Sequence, residues 1–207
     1  MKVEVLSFRN GERVNDKNCF CILATTGHIG MGENINPTIR WYDYPAETKS
    51  FALLCVDPDV PSVGDDVNQE DRFVPTNLPR VDFYHWVLAD IPLDINEIKE
   101  GDDSNSITPH GKIPGKKPYG ITGINDYTGW FAGDTTMEGY YGGYDGPCPP
   151  WNDERIHHYH FRVYALDIES TNLSGNFSGK DLLKAIDGHI LDHAEHFGTY
   201  TLNRNLI

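Results

Sequence analysis

The sequence predicts a mainly β, single-domain protein, and three observations carry that prediction. Short β-branched or aromatic runs bounded by turn residues recur at 2–8, 38–42, 50–56, 82–90 and 157–167, which is the pattern of strands. Only one segment, 179–197, keeps a helical period over several turns. No internal repeat, low-complexity stretch or linker divides residues 1–207, and a chain of this length buries on the order of 70% of its unfolded surface in one core.

Taken in order, the N-terminal MKVEVLSFRNGERV alternates Val3 and Val5 against Glu4 and Leu6 and lacks the apolar stretch of a secretory signal. It reads as the first strand of a cytoplasmic protein. The run SFALLCV, 50–56, reads as a short strand passing through Leu53 and Val56 into Asp57. The 82–90 segment sets Phe83, His85, Val87 and Ala89 on one face and Tyr84, Trp86, Leu88 and Asp90 on the other. Both faces are largely apolar, so this strand is central. In 157–167, parity turns His157, Tyr159, Phe161, Val163 and Ala165 inward and leaves His158, His160 and Arg162 on a solvated face. The helix starts at Ser178, with Asp181 three residues on as a near capping box. It gathers Leu182, Leu183, Ile186, Ile190, Ala194 and Phe197 on one side. Between these elements lie two long irregular inserts, 62–81 and 93–136, of a length that usually signals function or mobility.

A formal net charge of -14 repels phosphate backbones and anionic lipid surfaces at long range, which argues against nucleic-acid binding and polybasic membrane docking. A small anion remains compatible, provided one pocket is locally favourable. No run approaches the roughly 18 apolar residues of a membrane span. The four cysteines, Cys19, Cys21, Cys55 and Cys148, show no CxxC or zinc-ribbon spacing and are expected to be free thiols. Cys19 and Cys21 share a strand side, but same-face neighbours lie about 6.6 Å apart, near the upper limit for a disulfide.

Three stretches carry chemistry. In CVDPDVP, Pro58 and Pro61 restrain the backbone so that Asp57 and Asp59 leave the sheet in a held turn. Asp-Pro is also ordinary turn punctuation, and a strand end alone accounts for both carboxylates. In DFYHWVLADIP, His85 sits in a central strand, where burial demands a hydrogen-bond partner but no function. In YYGGYDGPCPPWNDERIHHYHFRVYALD, a glycine- and proline-rich loop precedes His157 and Tyr159. Were the three to converge, imidazoles, an orienting carboxylate and loop N–H groups would suit a small oxyanion such as phosphate.

With these residues in view, the sequence resembles the phosphatidylethanolamine-binding protein family, including its bacterial Raf-kinase-inhibitor-like members. The matching stretches are DPDVP at 57–61, HWVLADIP at 85–92 and GYDGPCPPWNDERIHHYHFRVYALD at 143–167, with GHILDHAEHFGTYTL at 188–202 similar to the family's bacterial C-terminal end. The resemblance implies a central antiparallel sheet, a second smaller sheet, few helices and, here, a C-terminal helix. It also implies a small anion-binding pocket of Asp57, His85, His157 and Tyr159, with Asp59 and Pro61 shaping the turn and the Gly146–Pro150 loop, including Cys148, as a wall. Where many members have His-Arg-Tyr this chain has His157-His158-Tyr159, which replaces an arginine by a pH-sensitive group. The 62–81 insert, with Asp65, Asp66, Glu70 and Asp71, is longer than the family's link and is positioned to cover the pocket or alter access to it.

The expected function is non-enzymatic binding of a small phosphate-type anion or phosphoethanolamine headgroup, with modulation of a protein partner as an associated role. Inhibition of a kinase or protease through the loop surface is the alternative. A phosphoester-acting enzyme is the third reading, and no G-x-S-x-G elbow, P-loop or metallohydrolase motif supports it. No cofactor and no metal are expected. His189, His193 and His196 fall at i, i+4 and i+7 of the helix, a ligand-competent spacing, but no fourth ligand can be named and boundary positions of an amphipathic helix account for them.

Overall fold

The computed structural model describes residues 1–207. Its centre is a six-stranded antiparallel sheet in the order β11-β10-β5-β6-β9-β8. These strands are β5 (Ser50–Pro61), β6 (Arg80–Pro92), β8 (Gly115–Lys117), β9 (Gly120–Thr122), β10 (His157–Leu166) and β11 (Ile190–Tyr200). A smaller sheet of β1 (Lys2–Val5), β4 (Ile39–Tyr42) and β7 (Glu97–Ile98) lies against it, and β2 (Cys21–Leu23) with β3 (Ile29–Met31) forms a hairpin. The helices are a single turn α1 (Tyr127–Trp130) and α2 (Gly179–Ile186). None is long and apolar enough to cross a membrane.

The continuous apolar run of β5 is explained by its two covered faces. Phe51, Leu53 and Cys55 enter a core shared with Trp41 of β4, Trp86 and Phe161. Ala52, Leu54 and Val56 enter a second core with Leu182 and Ile186 of α2. Truncating Leu53 to Ala in such a site costs about 2–5 kcal/mol.

Several expectations need correction. The helix predicted over 179–197 ends at Ile186, and 190–200 is the edge strand β11, paired along β10 from His157↔Tyr200 to Leu166↔Ile190. The capping box at Ser178 and Asp181 forms, but Gly188 at φ +79 turns the chain, and His196, Gly198 and Tyr200 then alternate inward with period two. The C-terminal helix is therefore two turns long. The cysteines are not all free: Cys21 and Cys148 are joined by a disulfide with Cα atoms 4.7 Å apart, while Cys19 and Cys55 are buried thiols. A separation of 127 residues hides this pairing from any motif.

The parity assigned to β6 also fails at one place. Cys55 pairs with Trp86 and Val56 with Tyr84, so His85 is an extra, unpaired residue. This bulge lets His85, whose ring packs on Tyr127 and Tyr159, face the same core as Trp86, leaving Tyr84, Val87 and Ala89 on the α2 side. Asp57 and Asp59 do not leave the sheet, since β5 runs on to Pro61 with a second bulge between Asp57 and Val60. The 93–136 insert, expected to be irregular, carries β7, β8, β9 and α1.

Candidate functional site

The two bulges sit side by side at the same end of β5 and β6, and they aim Asp57 and His85 into one cavity of about 350 Å³. The start of β10 adds His157 and Tyr159, the glycine- and proline-rich loop adds Cys148, and β5 adds Pro61. The outer wall is apolar: Ile29 and Met31 of the hairpin, Val63 and Val67 of the 62–81 insert, and Phe83, Tyr127, Trp130 and Phe131. No lysine or arginine lines it.

One wall is an ionic array. His157 Nδ1 lies 2.7 Å from Asp57 Oδ2 and its Nε2 3.1 Å from Asp153 Oδ2. Arg80 forks onto both Asp153 oxygens and also donates to the carbonyls of Asp59 and Pro75. The other Asp57 oxygen accepts the Asp59 N–H at 2.8 Å. Burial opposes charge on His157, but Asp57 and Asp153 outweigh it and hold its pKa up at about 9. Burial likewise opposes ionisation of Asp153, and the His157 and Arg80 hydrogen bonds overcome that and lower its pKa.

The facing wall is neutral. His85 Nδ1 stands 2.7 Å from the carbonyl of Asp145, an acceptor, so Nδ1 carries the proton and Nε2 holds a lone pair in the neutral ring. Burial lowers the His85 pKa, and Asp57 and Asp145 offset that only in part. The Tyr159 ring stands edge-on to His85 at 5.1 Å, and burial, with Asp57 adding to it, pushes its phenol well above the usual range. Its hydroxyl therefore stays protonated.

The loop behind His85 is rigid for identifiable reasons. Asp145 is fully buried and accepts from Asn34, Asn125 and Lys112 at 2.7–2.8 Å. The Gly146 N–H donates to Asn34 Oδ1 and its carbonyl accepts the Tyr127 hydroxyl. A Cβ on Gly146 would meet the Asn18 carbonyl oxygen at 2.0 Å, so only glycine fits there. The Cys21–Cys148 disulfide ties this loop to the hairpin.

Of the residues singled out from sequence, Asp57, Pro61, His85, Cys148, His157 and Tyr159 line the cavity. Asp59 and Gly146 stand behind it as supports. Asp59 is held by Arg155 at 3.1 Å and by the backbone and ring of His158. Burial opposes the Asp59 charge, yet these bonds lower its pKa. The 62–81 insert covers one side through Ser62, Val63, Gly64, Val67 and Asn68. Sequence reasoning missed Asp145, Asp153, Arg80 and the aromatic wall. The Asp153-to-His157 spacing of four was the only local sign of any of them.

The histidines considered for a metal do not share a helix or a site. His189 bonds Asp167, His193 stacks on Tyr164 and His196 reaches the Phe8 carbonyl. No group of three or more His, Cys, Asp or Glu is arranged to hold a metal ion.

This mainly β fold is shared with known proteins. The family model for phosphatidylethanolamine-binding protein matches residues 6–201, and the chain belongs to that family. A UPF0098 protein of Aquifex aeolicus is 34% identical over 201 residues, covering 97% of this chain and 88% of its own. One from Methanothermobacter thermautotrophicus is 33% identical over 169 residues, covering 82% and 84%. Among solved structures, Escherichia coli YbcL, described as a member of the mammalian PEBP family, superposes with a TM-score of 0.68 at 24% identity over 97% of both chains. The Chlamydia trachomatis homologue CT736 gives 0.63 at 25% identity, over 96% of this chain and 95% of its own.

Proposed function

We propose that the cavity binds a small phosphate-bearing ligand, either a free anion or a phosphoethanolamine-type headgroup, without catalysing a reaction on it. The observation that carries this reading is the free Nε2 of His85, oriented by the Asp145 carbonyl and facing the same cavity as the Tyr159 hydroxyl. A neutral His85 accepts at Nε2 and repels an oxyanion. Protonated, it donates, so anion binding takes up a proton there. Non-catalytic binding is supported by the mutual engagement of Asp57 and His157, which leaves neither ready to act as general base, and by the lack of a paired nucleophile in the cavity.

Calorimetry with inorganic phosphate, phosphoethanolamine and sulfate at pH 5.5 and 8 tests this. Sulfate does not titrate in that window, so its pH dependence reports the protein. Because burial lowers the His85 pKa, binding should tighten as pH falls through and below the ordinary histidine range, by up to about tenfold per unit. His85→Ala should abolish the pH dependence and most of the affinity. Undiminished, pH-independent binding by that variant refutes the reading.

A second reading, contact with a protein partner such as a kinase or protease, is favoured by the apolar rim. Ile29, Met31, Val63 and Trp130 are each at least 40% exposed at the cavity mouth.

A further inference from the structure

The His157 ring cannot donate to a ligand from where it stands, because both nitrogens already face carboxylate oxygens. Those oxygens only accept, and a neutral imidazole has a single N–H, so the arrangement is satisfied only by the doubly protonated ring. Asp153 is in turn fully buried and held on every side: by the Arg80 fork, by the Arg155 N–H at 2.9 Å on Oδ1, and through its carbonyl by Asn203 at 2.7 Å. Arg80 is the last residue but one of the 62–81 insert, and its side chain is 5% exposed. The same insert that lines the cavity mouth at Val63 and Val67 therefore ends in the cavity's rear support.

We propose that Arg80 and Asp153 are positioning residues of the pocket, clamping His157 from behind so that it braces Asp57 and leaves His85 as the one group that exchanges a proton with the ligand. The groups facing His157 bear this out. Asp57 comes from β5, Asp153 from the loop before β10, and Arg80 of β6 stands behind Asp153. Asp59 with Arg155 and His158 lies at the neighbouring strand ends, and His85 faces from across the cavity. The four members Asp57, His157, Asp153 and Arg80 sum to zero charge. A buried set of that kind holds only while every member is present, since loss of one strands an uncompensated charge. In effect the clamp withdraws one of the pocket's two histidines from titration near neutrality.

The decisive measurement is histidine nitrogen NMR on the full chain. In the wild type, His157 should be protonated on both nitrogens at pH 7.5 while His85 is protonated only at Nδ1. In Asp153→Asn, which keeps the side-chain volume, the His157 midpoint should fall by about 1–3 pH units. Arg80→Gln removes a cation that shares Asp153 with His157, so by charge the midpoint should hold or rise, and Arg80→Lys should stay near the wild type. The pH profile of sulfate binding supplies a second readout, resting on the anion-binding reading: the wild type should take up at most one proton, Asp153→Asn closer to two. A wild-type His157 that is singly protonated at pH 7.5 overturns the clamp even if no variant folds, as does an unshifted midpoint in a folded Asp153→Asn. Should sulfate fail to bind at any pH, the anion reading falls, while the NMR titration still decides the clamp.

Discussion

The two walls of the cavity place a histidine each within one small volume and give them opposite protonation. His157 sits between two carboxylates and is held charged, whereas His85 meets a single carbonyl at Nδ1 and burial holds it neutral. Both rings are buried, so depth does not separate them. The separation comes from what each ring nitrogen faces. Two carboxylates hydrogen-bonded to the ring outweigh desolvation at His157, whereas at His85 the unbonded Asp57 charge and the Asp145 contacts do not. In this pocket the charged histidine is architecture, and the neutral one is the group with an unfilled nitrogen.

The harshest way to break the contrast is Asp57→Ala, which leaves His157 with one carboxylate and removes the acceptor for the Asp59 N–H. Loss of a buried ion-pair partner should cost about 3–5 kcal/mol in urea unfolding. Changing pH removes the charge without mutation. Because the folded pKa of His157 is raised, its contribution is complete below the unfolded value near 6.5 and disappears as pH rises through about 9. Unfolding free energies should therefore fall by on the order of 3 kcal/mol between pH 6.5 and pH 9.5, with a smaller fall in Asp153→Asn. On the neutral wall, Gly146→Ala forces the loop off the Asn18 carbonyl and should cost about 1–3 kcal/mol. It should also displace the Asp145 carbonyl from His85, visible as a changed His85 tautomer ratio by NMR. If Gly146→Ala leaves both stability and that ratio intact, the loop is not what orients His85.

The sequence exposed one wall better than the other. Parity alone turned His157 and Tyr159 inward, because β10 alternates without interruption until Ala165. The same counting put His85 on the face of Val87 and Ala89, and a bulge of one residue put it beside Trp86 instead. The C-terminal segment shows the complementary error. Leu182, Leu183 and Ile186 fit a helix, and Ile190, Ala194 and Phe197 continue its period by coincidence. Gly188 breaks the run, and the free edge of β10 captures residues 190–200 as a strand.

What the sequence determined by itself is local. It set the strand identity of the apolar runs, the capped start of α2 and the restrained backbone of DPDVP. Its match to a family over most of its length also identified which Asp, His and Tyr to watch. Only the tertiary structure decided how those groups behave. The disulfide between Cys21 and Cys148, the insert's Arg80 behind Asp153, and the Asp145 carbonyl beneath His85 each join residues that backbone periodicity leaves unrelated. Protonation and hydrogen bonding depend on the atoms within a few ångströms, and in a sheet of non-sequential strands those neighbours come from distant parts of the chain.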